Sequence, residues 1–111
     1  MTALDPDCSL EVGWHLVGDG PDRGVFLSFI REALARSGVA EADELPDHLT
    51  HVLALIAREP TADAADLARL ITPAVARVAG ALTRRRNPYA HLLHAIHRRL
   101  TTLEAWEEAR R

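Results

Sequence analysis

The stretch Glu44-Leu45-Pro46-Asp47-His48-Leu49 is an acidic joint that opens straight into an apolar run reaching about Arg58. Pro46 holds φ at a value suited to a first helical turn, and its missing N–H would be unpaired there anyway. Asp47 adds a carboxylate beside the free N–H groups and positive end of that helix. The helix so begun is expected to bury Leu49, Val52, Leu53 and Ile56 on one face. Such a joint can turn a corner or form a recognition surface, and spacing alone favours the corner.

Similar punctuation divides the rest of the chain. Ser9 to Val17 offers Leu10, Val12, Trp14, Leu16 and Val17 to a short helical segment. Gly13 weakens that helix, and the alternation also fits a strand. Gly18 to Gly24 is a loop by its breakers, and a helix follows from about Pro21 or Arg23 to Ser37. Phe26, Phe29, Ile30, Ala33 and Leu34 share its apolar face, with Gly38 at the C′ position. After the connector with Glu41, Asp43 and Glu44 comes the joint helix, which Glu59-Pro60-Thr61 breaks. Thr61 is placed to cap the next helix, with Asp63 and Asp66 in its first turns. Thr72-Pro73 predicts a restart or kink, after which Val75, Val78, Ala79 and Leu82 form a stripe up to Arg84-Arg85-Arg86. Asn87-Pro88 starts the last helix, whose apolar side carries Leu92, Leu93, Ile96, Leu100, Leu103 and Trp106. Five or six helices with short links predict an all-α bundle forming a single domain over residues 1–111.

Composition agrees: apolar residues make up 48% of the chain and aromatics only 5%, with abundant alanine, a mixture that favours helices over sheets. Charge is uneven. Residues 1–55 carry 10 acidic and 3 basic side chains, whereas residues 56–111 carry 6 acidic and 10 basic. The acidic front half argues against nucleic acid as partner and allows a basic peptide. Cys8 is the single cysteine, so no internal disulfide can form, as fits a reducing compartment. No signal peptide is seen at the N-terminus, and no apolar stretch is long enough for a membrane span. The expectation is a soluble cytoplasmic protein without stable membrane insertion.

Chemistry-bearing candidates are few. His48 and His51 are three apart, as are His91, His94 and His97, but a zinc site needs about four converging ligands, and a solvated face is the simpler reading. His48, at the edge of its helix's apolar stripe, reads as a half-buried, hydrogen-bonded histidine. Gly18-Asp19-Gly20 lacks the Gly-Lys-Ser/Thr ending of a phosphate loop. The arginines at 84–86 and 98–99 lack aromatic interleaving, so a solvated helix end outweighs a nucleic-acid site. Cys8 has no base nearby in sequence, and no serine lies in a nucleophile elbow. These residues point to a non-enzymatic helical module with neither metal nor cofactor, binding through grooves between helices.

Three stretches carry a resemblance. Glu44-Leu45-Pro46-Asp47-His48-Leu49 with the apolar run after it resembles the hinge of the redox-enzyme maturation chaperones (TorD/DmsD/NarJ-like), most of all the nitrate reductase delta-subunit (NarJ) branch. Asp5 to Gly24, with Ser9-Leu10, His15-Leu16, Gly18-Asp19 and Asp22-Arg23-Gly24, is similar to the family's preceding helix and Gly-Asp…Arg-Gly turn. Asn87-Pro88-Tyr89-Ala90 resembles its Ser-Pro-Tyr-Ala. The resemblance implies a shortened version of the family's all-helical fold and an assembly chaperone without enzymatic activity. Its cargo would be the N-terminal peptide of an apo-molybdoenzyme catalytic subunit, nitrate-reductase-like, held while the molybdenum cofactor is inserted. Glu44, Pro46, Asp47 and His48 would carry the hinge role, Glu44 and Asp47 facing cargo cations and His48 offering a hydrogen bond. Leu49 and Tyr89 would support them, Tyr89 by packing. Family members carry further helices before the first matched stretch. Without them apolar surface is expected at Trp14 and Phe26 or their neighbours, covered by a homodimer or a partner. The competing reading is a non-catalytic structural or interaction module that completes its core by dimerisation or with a partner subunit. A third is a protein using the histidines and arginines on metal or nucleic acid.

Overall fold

A computed structural model describes residues 6–110. The lead-in through Asp5 and the proposed capping side chain of Thr61 lie outside what is described. Five helices follow a 3-10 turn at Pro6–Cys8: α1 (Val12–Val17), α2 (Pro21–Arg36), α3 (Leu49–Arg58), α4 (Thr61–Arg84) and α5 (Ala90–Ala109). The fold is all-α, with no strand among the described residues. None of its helices is long and apolar enough to cross a membrane.

The bundle is built on α4, which touches the first turn, α1, α3 and, along most of its length, α5. Its buried face explains this. Ala64, Ala65, Ala68, Ala74 and Ala79 alternate with Ile71, Val75, Val78 and Leu82, so small side chains admit neighbours closely while branched ones fill between them. The expected stripe of Val75, Val78, Ala79 and Leu82 is buried throughout.

Thr72-Pro73 neither ends nor restarts the helix. α4 runs unbroken for 24 residues, about 36 Å at the standard rise. Pro73 removes the N–H that would bond the Arg69 carbonyl, but it sits on the exposed side, where water can serve that carbonyl. The Thr72 hydroxyl lies 2.6 Å from the Ala68 carbonyl and 2.8 Å from Glu104 Oε2, tying α4 to α5 at the same level. Packing along α5 outweighs one missing helical bond.

Two helix ends close in the same way. Gly38 (φ 73°) and Arg86 (φ 55°) both occupy the left-handed region. The Gly38 N–H bonds the Ala35 carbonyl and the Val39 N–H that of Leu34; after α4, Arg86 and Asn87 bond Thr83 and Leu82 in the same pattern. Gly38 thus takes the C′ position expected of it. Arg86 takes the same position without a glycine's freedom.

The apolar faces read from periodicity hold only in part. On α2, Ile30, Ala33 and Leu34 are buried, but Phe29 is 51% exposed. On α5, Leu93 and Leu100 are buried while Leu92 and Trp106 face outward. On α3, Leu49 and Val52 are buried, Leu53 and Ile56 only half so, and Leu55 is fully covered. Leu55 belongs to a second, smaller core with Ile30, Ala33 and Leu34, which fastens α2 to α3. Trp14 and Phe26, expected to be bared, are half-buried; the exposed apolar side chains are their neighbours Val17, Val25 and Phe29.

Candidate functional site

The joint at residues 44–49 is held by the segment before α1, which runs antiparallel to it. The Val12 N–H donates to the Asp47 carbonyl at 3.0 Å, and the Leu49 N–H to the Leu10 carbonyl at 2.8 Å. Between them Glu11 and His48 form an isolated bridge. Leu45 to His48 closes as a turn through the His48 N–H and the Leu45 carbonyl, 3.0 Å. The sequence suggests the first helical turn for Pro46, but the residue is buried in a turn ahead of it, because the Asp47 carbonyl is bonded to the Val12 N–H before α3 begins at Leu49. The cap of α3 is His48: its Nδ1 accepts from the Thr50 N–H at 3.2 Å, with the Thr50 hydroxyl 2.9 Å away. This accords with the half-buried, hydrogen-bonded reading of His48.

Asp47 departs most from expectation. Its side chain is 0% exposed, and its cation comes from within the chain. Arg23 on α2 reaches it with two bonds, Nε to Oδ2 at 3.2 Å and Nη2 to Oδ1 at 3.3 Å. The same guanidinium donates to Glu11 Oε1 at 2.8 Å and, more loosely, to Asp19 Oδ1 at 3.5 Å. Burial by itself would lower the Arg23 pKa, but the hydrogen bonds and charges of Asp47 and Glu11 outweigh it and hold the group above its ordinary value. The carboxylate that the resemblance turns toward a cargo cation is thus committed to an internal clasp.

Gly13 makes the clasp possible. A Cβ there would run into Asp47 Oδ2 and lie 2.8 Å from Phe26 Cδ2. The glycine that weakens α1 as a helix lets the carboxylate and the Phe26 ring sit against its backbone.

The remaining site residues divide. Glu44 is exposed and makes no hydrogen bond or ion pair among the described residues. Leu49 is a core residue. Tyr89, at the start of α5, is 67% exposed and does not pack as expected. His51, read only as a spacing partner of His48, proves to be a buried fastener. Its Nδ1–H donates to the Leu45 carbonyl at 2.8 Å, and its Nε2 accepts from the Ala42 N–H at 2.9 Å. Periodicity could not reveal that role, since both partners are backbone groups of an irregular connector. His94 meets the Thr83 hydroxyl at 3.0 Å and so links α5 to α4. Among the described residues no group of three or more histidine, cysteine, aspartate or glutamate side chains is placed to hold a metal ion.

A second feature is a cleft of about 450 Å³ between α2 and the first half of α4. Phe29, Ala33, Leu67 and Leu70 form its floor, and Glu59, Asp63 and Asp66 edge it opposite Arg36. From sequence Asp63 and Asp66 belong to the first turns of α4 with no link to Phe29, because the cleft forms only once α2 lies beside α4.

Compared with protein-family models the chain matches none, and no curated protein matches it.

Proposed function

We propose that the chain is a cytoplasmic, non-catalytic assembly chaperone that binds the N-terminal segment of an apo-molybdoenzyme catalytic subunit, nitrate-reductase-like, and holds it for molybdenum cofactor insertion. One observation carries the reading. Two of the three stretches on which the family resemblance rests, Asp5 to Gly24 and the 44–49 joint, come together in one clasp, the first supplying Glu11 and Arg23 and the second Asp47. Motifs that are separate in sequence but cooperate in one structural unit are what a shared fold requires. Glu44 and His48 remain at the surface of that unit, where a peptide can reach them.

The test is calorimetry with the N-terminal peptide of such a catalytic subunit on the wild-type chain and on Glu44→Gln and His48→Ala. Micromolar binding weakened by both substitutions is expected. Absence of binding to the wild type removes the chaperone reading; binding that ignores both substitutions removes the joint from the contact surface.

The exposure of Val25, Phe29 and Leu70 favours a second reading, an interaction module that completes its apolar surface with a second copy or a partner subunit. Sedimentation equilibrium separates the two. A tight dimer with no peptide affinity would replace the first reading with the second.

A further inference from the structure

With Asp47 clasped to Arg23, Glu44 is the joint's open carboxylate, and further surface carboxylates lie elsewhere. Three of them edge the cleft between α2 and α4 against a single guanidinium, that of Arg36. Asp66 pairs with Arg69 at 3.0 Å, both well exposed, and Glu59 accepts from the Ser37 hydroxyl at 3.3 Å. The Asp63 side chain makes no ion pair or hydrogen bond among the described residues. Asp63 and Asp66 stand one turn apart on α4, about 4.5 Å along its axis. Beneath them the floor is unfinished: Phe29 is 51% and Leu70 43% exposed, and Val25, one turn before Phe29, extends the apolar strip. Contiguous exposed apolar side chains rimmed by polar groups are the pattern of an interaction surface.

We propose that this cleft takes one face of an amphipathic helix that carries arginine or lysine beside its apolar stripe, supplied by the client's N-terminal segment. The inference rests on the chaperone reading for the source of that helix. Charge complementarity picks the occupant: the rim stays net negative even with Arg69 paired to Asp66, so an acidic or neutral apolar helix would leave Asp63 unanswered. A space of about 450 Å³ admits a few anchoring side chains at helical spacing and not a whole helix. Apolar anchors enter between Phe29 and Leu70, while cations one turn apart meet Asp63 and Asp66.

The experiment uses the full chain with two probes in calorimetry, the client N-terminal peptide and a designed helix of leucine, alanine, glutamine and arginine with arginines flanking its leucine stripe. The variants are Phe29→Ser and the charge reversal Asp63→Arg/Asp66→Arg. Both alter exposed positions, and circular dichroism melting checks that each folds. Both probes should bind the wild type, and each variant should weaken both by at least about tenfold, with affinity falling as salt is raised. Unchanged binding of the client peptide to both variants overturns the cleft while leaving the chaperone reading standing. Binding of the designed helix alone, with the same sensitivity, keeps the cleft and overturns the client. A wild-type dimer that Phe29→Ser dissolves overturns the proposal in favour of a second copy as the occupant.

Discussion

Replacing Arg23 with methionine isolates the clasp. Methionine keeps most of the aliphatic stem, so lost packing is small and the change is mainly electrostatic. What remains is a carboxylate at 0% exposure that has lost both of its charged hydrogen bonds, 3.2 and 3.3 Å long. Breaking a buried pair from one side costs about 3–5 kcal/mol. Arg23 is itself 12% exposed and opens toward Asp19 at the surface, so water can partly replace it, which puts the expected loss near 3 kcal/mol. For a chain of this length that is a large share of a total of about 5–15 kcal/mol, and it corresponds to a fall in Tm of roughly 12–20 °C. Urea denaturation followed by far-ultraviolet circular dichroism measures it. The cycle with Asp47→Asn should show that the two substitutions do not add, with a coupling of about 1.5–3 kcal/mol. Because the folded-state pKa of Arg23 is raised, its contribution is complete below the ordinary arginine range and is lost only as pH climbs through the raised value. Wild-type stability should therefore show no loss from Arg23 titration up to about pH 9. A cost under about 1 kcal/mol, or simple additivity of the two changes, would refute the argument that Asp47 depends on Arg23.

Gly13→Ala should destabilise the chain by about 1–2 kcal/mol, because overpacking against Asp47 Oδ2 and Phe26 exceeds the gain of about 1 kcal/mol in helix propensity. Chemical denaturation reads the sign, and a stabilised variant would mean that α1 stands off the joint. Pro73→Ala should raise stability by roughly 2 kcal/mol: an interior proline costs about 3 kcal/mol, less up to about 1 kcal/mol for its restriction of the unfolded chain. A lower Tm would contradict the continuity of α4 through that residue. Arg86→Gly should add roughly 0.5–1 kcal/mol by relieving a side chain held at φ 55°, again visible in Tm.

Features set by near neighbours were legible in the sequence. Gly38 could be placed at the end of α2 because the left-handed turn there is a local demand, and the stripe from Val75 to Leu82 could be read because α4 has a neighbour along that face. Features set by what a segment meets were not. A helical wheel places Phe29, Leu92 and Trp106 on apolar faces but cannot say that no element arrives to cover them. The restart expected at Thr72-Pro73 is absent because the compensating contacts come from α5, some thirty residues downstream, as the Thr72–Glu104 bond illustrates. The clasp joins residues 24 apart in sequence, and neither Arg23 nor Asp47 carries a local mark of it. The one available hint was charge: Arg23 is one of only three cations among ten acids in the first 55 residues, and so an obvious target for them. The family resemblance turned Asp47 toward a cargo, where the chain itself supplies the cation.

The separate small core of α2 has a kinetic consequence. Ile30, Ala33 and Leu34 meet α3 chiefly at Leu55, while the larger core runs through α4 and α5 without them. Segments with few buried contacts open at a lower free energy than the whole molecule. In hydrogen exchange the amides of α2 should therefore trade deuterium together, ahead of those of α4, with the Arg23 clasp and the Leu55 contact acting as its two latches. A ligand seated between α2 and α4 would be felt first as slowed exchange in α2, so the helix least firmly held would also be the most sensitive reporter of an occupied cleft.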